Sequence, residues 1–128
     1  MLVDARNGPS GPRRVLVVDD NQDAADALAM LVRTWGHDVR VAYSGEQGLQ
    51  AARDFQPEVC LLDLGMPGMS GFELAARLRE EPTTAGAVLT AVSGWGDHET
   101  RRRAIEAGFE HHLLKPSNIE MLRAILDG

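Results

Sequence analysis

The stretch RVLVVDDNQDAADALAMLVRTWG, residues 14–36, decides the fold. Residues 14–19 form an unbroken, β-branched apolar run closed by an aspartate, the pattern of a strand buried on both faces. Asn21 can accept the orphan N–H groups of a helix start, and Leu28, Leu31, Val32 and Trp35 recur as one helical stripe. Gly36 lacks a Cβ and tolerates the left-handed cap that stops a helix. Strand, cap, helix and stop together make one βα unit.

The same unit repeats downstream. Residues 37–42 alternate as a second strand, and Ser44 opens a helix to about Phe55, which Pro57 blocks from continuing. Residues 58–63 (EVCLLD) are a third strand, almost wholly apolar, and residues 65–71 (GMPGMSG) carry three glycines and a proline, so they form a loop. A helix is expected over 72–81 with Leu74, Ala75 and Leu78 inward, closed by Pro82. Residues 87–93 (AVLTAVS) make the fourth strand, and 97–107 a helix capped by Gly108. Residues 111–114 make a short fifth strand, and Asn118 opens a last helix with Ile119, Leu122, Ile125 and Leu126 on its apolar side. Strands alternating with helices imply crossover connections. The expected architecture is α/β: a five-stranded parallel sheet with helices on both faces, a (βα)5 three-layer sandwich.

Composition narrows the function classes. A chain of 128 residues with 44% hydrophobic content fits one ordinary domain, with 13–128 as its body. Residues 1–12 (MLVDARNGPSGP) read as a leader or linker, and they lack the apolar core of a signal peptide. Thirteen Lys and Arg against nineteen Asp and Glu give a formal charge of −6, which argues against nucleic acid as the main ligand. One cysteine, Cys60, cannot form an internal disulfide and suits a reducing compartment. No apolar run approaches the ~18 residues of a membrane span. The expected location is cytoplasmic, without membrane insertion.

Ligands of an open parallel sheet bind beyond the carboxyl ends of its strands. The strands here end in Asp19-Asp20, Asp63, Ser93 and Lys115, so three carboxylates, a hydroxyl and an ammonium are expected on one edge. Like charges at such range repel, and the cluster needs a proton or a cation to persist. Carboxylates without His or Cys partners favour a hard ion of the Mg²⁺ type. Pro116 biases Lys115 toward an extended backbone, which would aim its ammonium at Asp63.

These residues carry a resemblance. VLVVDDN (15–21), LLDLGMPGMSG (61–71), the Ser93-Gly94 strand end and LLKPS (113–117) closely resemble the receiver domain of two-component response regulators, in order and over about residues 13–127. The resemblance implies a flavodoxin-like fold with Asp63 as phosphoacceptor, taking a phosphoryl group from a phosphohistidine of a histidine kinase or histidine phosphotransfer protein. It implies Mg²⁺ held by Asp19, Asp20, Asp63 and the backbone carbonyl of Gly65. Ser93 would hydrogen-bond the phosphoryl group, and Lys115 would pair with Asp63 before transfer and with a phosphoryl oxygen afterwards. Such a domain is a signalling phosphoacceptor that assists its own phosphorylation and dephosphorylation, and it switches conformation to regulate a downstream protein. His112 stands at a switch position where the family commonly has Tyr or Phe, and its charge varies near neutral pH. Ser117 stands where a bulky apolar residue is frequent, so looser packing is expected there.

Rival readings fail on named positions. A hydrolase of the haloacid-dehalogenase type needs a second carboxylate two residues after its nucleophile, and that position is Gly65. A flavodoxin-type FMN carrier needs a phosphate-binding loop after the first strand, where DDNQDAAD would repel a phosphate. A receiver-like interaction module without phosphorylation, or a receiver fragment of a hybrid sensor histidine kinase, are the alternatives left. His111 and His112 point to opposite faces of a strand and cannot share one metal. Met66 and Met69 are expected to fill gaps beneath the loop after Asp63. Arg101, Arg102 and Arg103 are expected on a solvated face, Trp95 in a loop beside the site, and Trp35 in the core.

Overall fold

The chain runs β1 (Arg14–Val18), α1 (Gln22–Thr34), β2 (Asp38–Ala42), α2 (Gly45–Phe55) and β3 (Val59–Asp63). It continues as α3 (Gly71–Glu80), β4 (Val88–Ser93), α4 (His98–Ala107), β5 (His111–Leu114) and α5 (Ile119–Asp127). This computed structural model describes residues 11–94, 96–115 and 118–127. The leader expected at 1–12 lies outside them apart from its last two residues, as do Trp95, Pro116 and Ser117.

All strand pairs are parallel, in the order β2-β1-β3-β4-β5. A parallel pair cannot be closed by a hairpin, so each connection carries a helix back across the sheet. Alternate residues feed two cores. Val15, Val17, Leu61, Val92 and Leu113 pack with Ala25, Ala29 and Val32 of α1 and Leu122 and Leu126 of α5. Leu16, Val18, Leu62, Leu89 and Ala91 pack on the other face with Leu49 and Ala52 of α2, Leu74 and Leu78 of α3 and Ala104 of α4. Covered on both sides, β3 is buried throughout, which is why EVCLLD carries no alternation. Its Cys60 is fully buried, and burial pushes the thiol up to about 12.

Side-chain caps set the helix starts at the carboxyl edge of the sheet. Asn21, Ser44, Ser70 and Asp97 accept the backbone N–H of Ala24, Gln47, Glu73 and Thr100. Gly36 has the positive φ (93°) expected of the stop after α1. Across the sheet's other end, Arg79 of α3 donates to the carbonyls of Ala85, Ala87 and Gly108 and to Glu110, tying α3 to the turns on either side of β4 and α4.

Three expectations need correction. The buried line of α1 is Ala25, Ala29 and Val32, while Leu28 and Trp35 are only partly covered and Leu31 borders a groove with Leu28 and Ile119. Small residues let this helix sit close on the sheet, which pushes the larger leucines to its flank. Trp35 lies at the margin, under the Arg123 guanidinium. Ile119 is half exposed, at the rim of that groove. Among the described residues no helix is long and apolar enough to cross a membrane.

Candidate functional site

The sheet order places β1 between β2 and β3, so successive connections leave β1 and β3 in opposite senses and open a crevice between their carboxyl ends. Val18 faces Leu62 in the register, and the next residue on each strand, Asp19 and Asp63, emerges into that crevice side by side. Asp20 follows Asp19 into solvent. Asp19, Asp20 and Asp63 each offer a carboxylate oxygen, all within 4.8 Å of one another.

Backbone contacts fix these acids. The N–H of Asp19 donates to the carbonyl of Ala42, and Asp19 Oδ1 accepts the N–H of Asn21 at 3.0 Å. The loop after Asp63 folds back so that Gly71 N–H donates to Leu64 O at 3.1 Å. A Cβ on Gly71 would lie 2.2 Å from the carbonyl oxygen of Asp63, so only glycine lets α3 begin against the backbone of the acid. Met66 and Met69 are buried beneath this loop, as expected. Gly65 is exposed next to the cluster.

Lys115 joins from β5, where its N–H donates to the carbonyl of Ser93 at 2.8 Å. Its ammonium lies 2.9 Å from Asp19 Oδ2 and 3.4 Å from Asp63 Oδ1. The expected pairing with Asp63 is therefore shared, and Asp19 holds the shorter contact. Burial alone would lower the Lys115 pKa, but the hydrogen bond to Asp19 and the charges of both acids leave it above its ordinary value. Asp63 responds in the opposite way to an ordinary ion pair. Burial, and then the Asp19 charge, push its carboxyl up to about 6 despite Lys115. One lysine does not neutralise this crevice. Oxygen donors without His or Cys, and a carboxyl held above its normal range by burial and a neighbouring anion, fit a hard divalent cation such as Mg²⁺.

Ser93 is fully buried at the end of β4, and its Oγ lies 2.9 Å from His112 Nε2. Sequence reasoning placed both residues near the site but not their mutual bond. Their partnership depends on strand register, which no local pattern prints. The arginines of α4 are exposed as expected, though not idle. Arg102 pairs with Glu99 and Glu106, and Arg103 lies over the Phe72 ring at 4.2 Å.

The sequence profile of the response regulator receiver domain matches residues 15–127. The chain is 35% identical over 104 residues to the DNA-binding response regulator MtrA of Mycolicibacterium paratuberculosis, covering 81% of this chain and 45% of that protein. Among solved structures it is similar to the chemotaxis protein CheY4 of Vibrio cholerae, with a TM-score of 0.85, 25% identity and coverage of 91% and 97%. It is also similar to a response regulator of Burkholderia pseudomallei described with a phosphorylated aspartic acid, a calcium ion and citrate. That likeness has a TM-score of 0.81 and 30% identity, over 89% of this chain and 66% of the other.

Proposed function

Because the chain belongs to the response regulator receiver domain family, we propose that Asp63 is the residue through which it works, as the phosphoacceptor of a two-component phosphorelay. A carboxylate oxygen of Asp63 attacks the phosphorus of an N-phosphohistidine. The new P–O bond makes an acyl phosphate, the P–N bond breaks, and its electron pair stays on the departing imidazole. Asp63 must be deprotonated to attack, and its raised pKa of about 6 still leaves it ionised at neutral pH. Lys115, already within reach of Asp63, turns to a phosphoryl oxygen once the carboxylate is esterified. Ser93 supplies a hydroxyl donor to the same group.

Asp19, Asp20, Asp63 and the carbonyl of Gly65 would hold Mg²⁺, which when bound supplies positive charge against the phosphoryl oxygens. The donor is a histidine kinase or histidine phosphotransfer protein, the recipient of the signal is a downstream protein, and no nucleic acid is bound directly. The domain spans 13–128 behind a linker-like leader and works in the cytoplasm. It is not an enzyme in the ordinary sense, but its own residues assist phosphorylation and hydrolysis of the acyl phosphate.

One observation carries this reading: a buried carboxylate at the β1–β3 crevice, flanked by two further acids and a lysine. The test is incubation with acetyl phosphate and Mg²⁺ followed by intact mass. A gain of one phosphoryl group that is lost in Asp63→Asn is the expected result. A chain that stays unmodified with acetyl phosphate and with phosphohistidine donors would be an interaction module only.

A further inference from the structure

In the β4–β5 register Ala91 faces His112 and Ser93 faces Leu114, so Ser93 and His112 are diagonal neighbours on the sheet face beneath α4. A hydroxyl has a single proton to donate and lone pairs with which to accept. Across the 2.9 Å contact, two arrangements share the same heavy atoms. Where Nε2 is a bare lone pair, the Ser93 proton is spent on the ring. Where Nε2 carries hydrogen, the ring donates and the Ser93 proton stays available to another acceptor.

We propose that His112 is a positioning residue: its Nε2–H donates to Ser93 Oγ and so reserves the hydroxyl proton for a phosphoryl oxygen on Asp63. This rests on the reading of Asp63 as the phosphoacceptor. A hydroxyl that accepts one hydrogen bond also donates a stronger one, so the ring reinforces the contact it permits. The phosphorylated protein selects the Nε2-protonated ring, as neutral tautomer or as imidazolium. The imidazolium has no other option and adds positive charge near the phosphoryl group, so the effect is larger at low pH, where a histidine ring is protonated. β4 (VLTAVS) contributes no titratable side chain. The cleft beside the ring brings Arg101 from α4, Glu110 from just before β5, His111 from its first position and Met121 from α5.

The test follows phosphorylation of the full chain by acetyl phosphate and Mg²⁺, from about pH 5.5 to 8 across the imidazole range. The variants are His112→Phe, His112→Gln, Ser93→Ala and the Ser93→Ala/His112→Phe double. Near pH 6, His112→Phe is expected to slow the reaction about fivefold, the worth of one hydrogen bond. His112→Gln, whose amide N–H can still donate to Oγ, should stay within about twofold of wild type. The double variant should be no slower than Ser93→Ala, and the advantage of wild type over His112→Phe should shrink toward about pH 8. Independently of any variant, the His112 ring nitrogens of the wild-type protein loaded with beryllofluoride and Mg²⁺ should show a proton on Nε2 by NMR. A bare Nε2 in that state overturns the proposal, as does His112→Phe reacting like wild type at every pH. A His112→Phe effect undiminished in the Ser93→Ala background overturns it too. Wild type that never acquires a phosphoryl group defeats the phosphoacceptor reading along with this one, whereas the three preceding results defeat this one alone.

Discussion

Replacing Asp63 by Asn should stabilise the metal-free protein at neutral pH and do almost nothing in acid. Asp63 is only 7% exposed, and burial first and Asp19 second hold its carboxyl at about 6. In the unfolded chain the same group titrates near about 3.9. Between those values the folded protein keeps a proton that the unfolded chain has released. Stability therefore falls as pH rises through the window and stays lower above it. A displacement of this size is worth at most about 3 kcal/mol, and sharing of the charge with Asp19 and Lys115 brings the expected figure to about 1–3 kcal/mol. Asn keeps the shape and removes the charge, while Lys115 retains its 2.9 Å contact with Asp19. The gain corresponds to roughly 4 to 10 °C in melting temperature for a domain of this size. Urea unfolding in EDTA, followed by circular dichroism at about pH 7.5 and about pH 4, on either side of the window, measures it. A variant no more stable than wild type at the higher pH would refute the reasoning. So would a gain of the same size at both pH values.

Three further outcomes follow from the same geometry. Mg²⁺ at ten- to thirtyfold excess over its Kd should stabilise the wild-type protein by about 1–2 kcal/mol. Asp20→Asn should need more of the ion for the same shift, and a melting temperature indifferent to millimolar Mg²⁺ would remove the acidic cluster as a cation site. Gly71→Ala places a Cβ 2.2 Å from the Asp63 carbonyl and 2.8 Å from Leu64 Cα. It should cost about 2–4 kcal/mol in urea unfolding and slow phosphoryl uptake by displacing the acid. Arg79→Ala strands the carbonyls of Ala85, Ala87 and Gly108 and should cost about 2 kcal/mol or more. Arg79→Lys should recover only part of this, since an ammonium lacks the fork that reaches several carbonyls at once.

Much of this could be read before any coordinates because burial on both faces leaves little freedom of composition. β1 and β3 are nearly uniform in apolar residues, so the acids that end them stand out against the run and fall at the edge where the fold gathers its ligands. Caps at Asn21, Ser44 and Asn118 were legible for a similar reason, since each bond closes within three residues. Contacts set by register were not. Ser93 and His112 are separated by 19 residues and meet on a diagonal, and Arg79 reaches carbonyls up to 29 residues away. The preference of Lys115 for Asp19 over Asp63 turns on half an ångström of side-chain placement. In α1 the periodicity was correct, but its phase was set by how closely alanines let the helix approach, a tertiary effect that a stripe of leucines conceals.

Cys60 has a practical corollary. Thiol reagents act on the thiolate, and this sulfur is sealed within the sheet with its ionisation suppressed to about 12. A maleimide fluorophore directed at a cysteine introduced on the surface, for instance at Met30 or Ile105, would meet no competing background in the folded protein. The sealed sulfur then serves as a built-in clock: the rate at which it becomes labelled reports how often the central strand is laid bare.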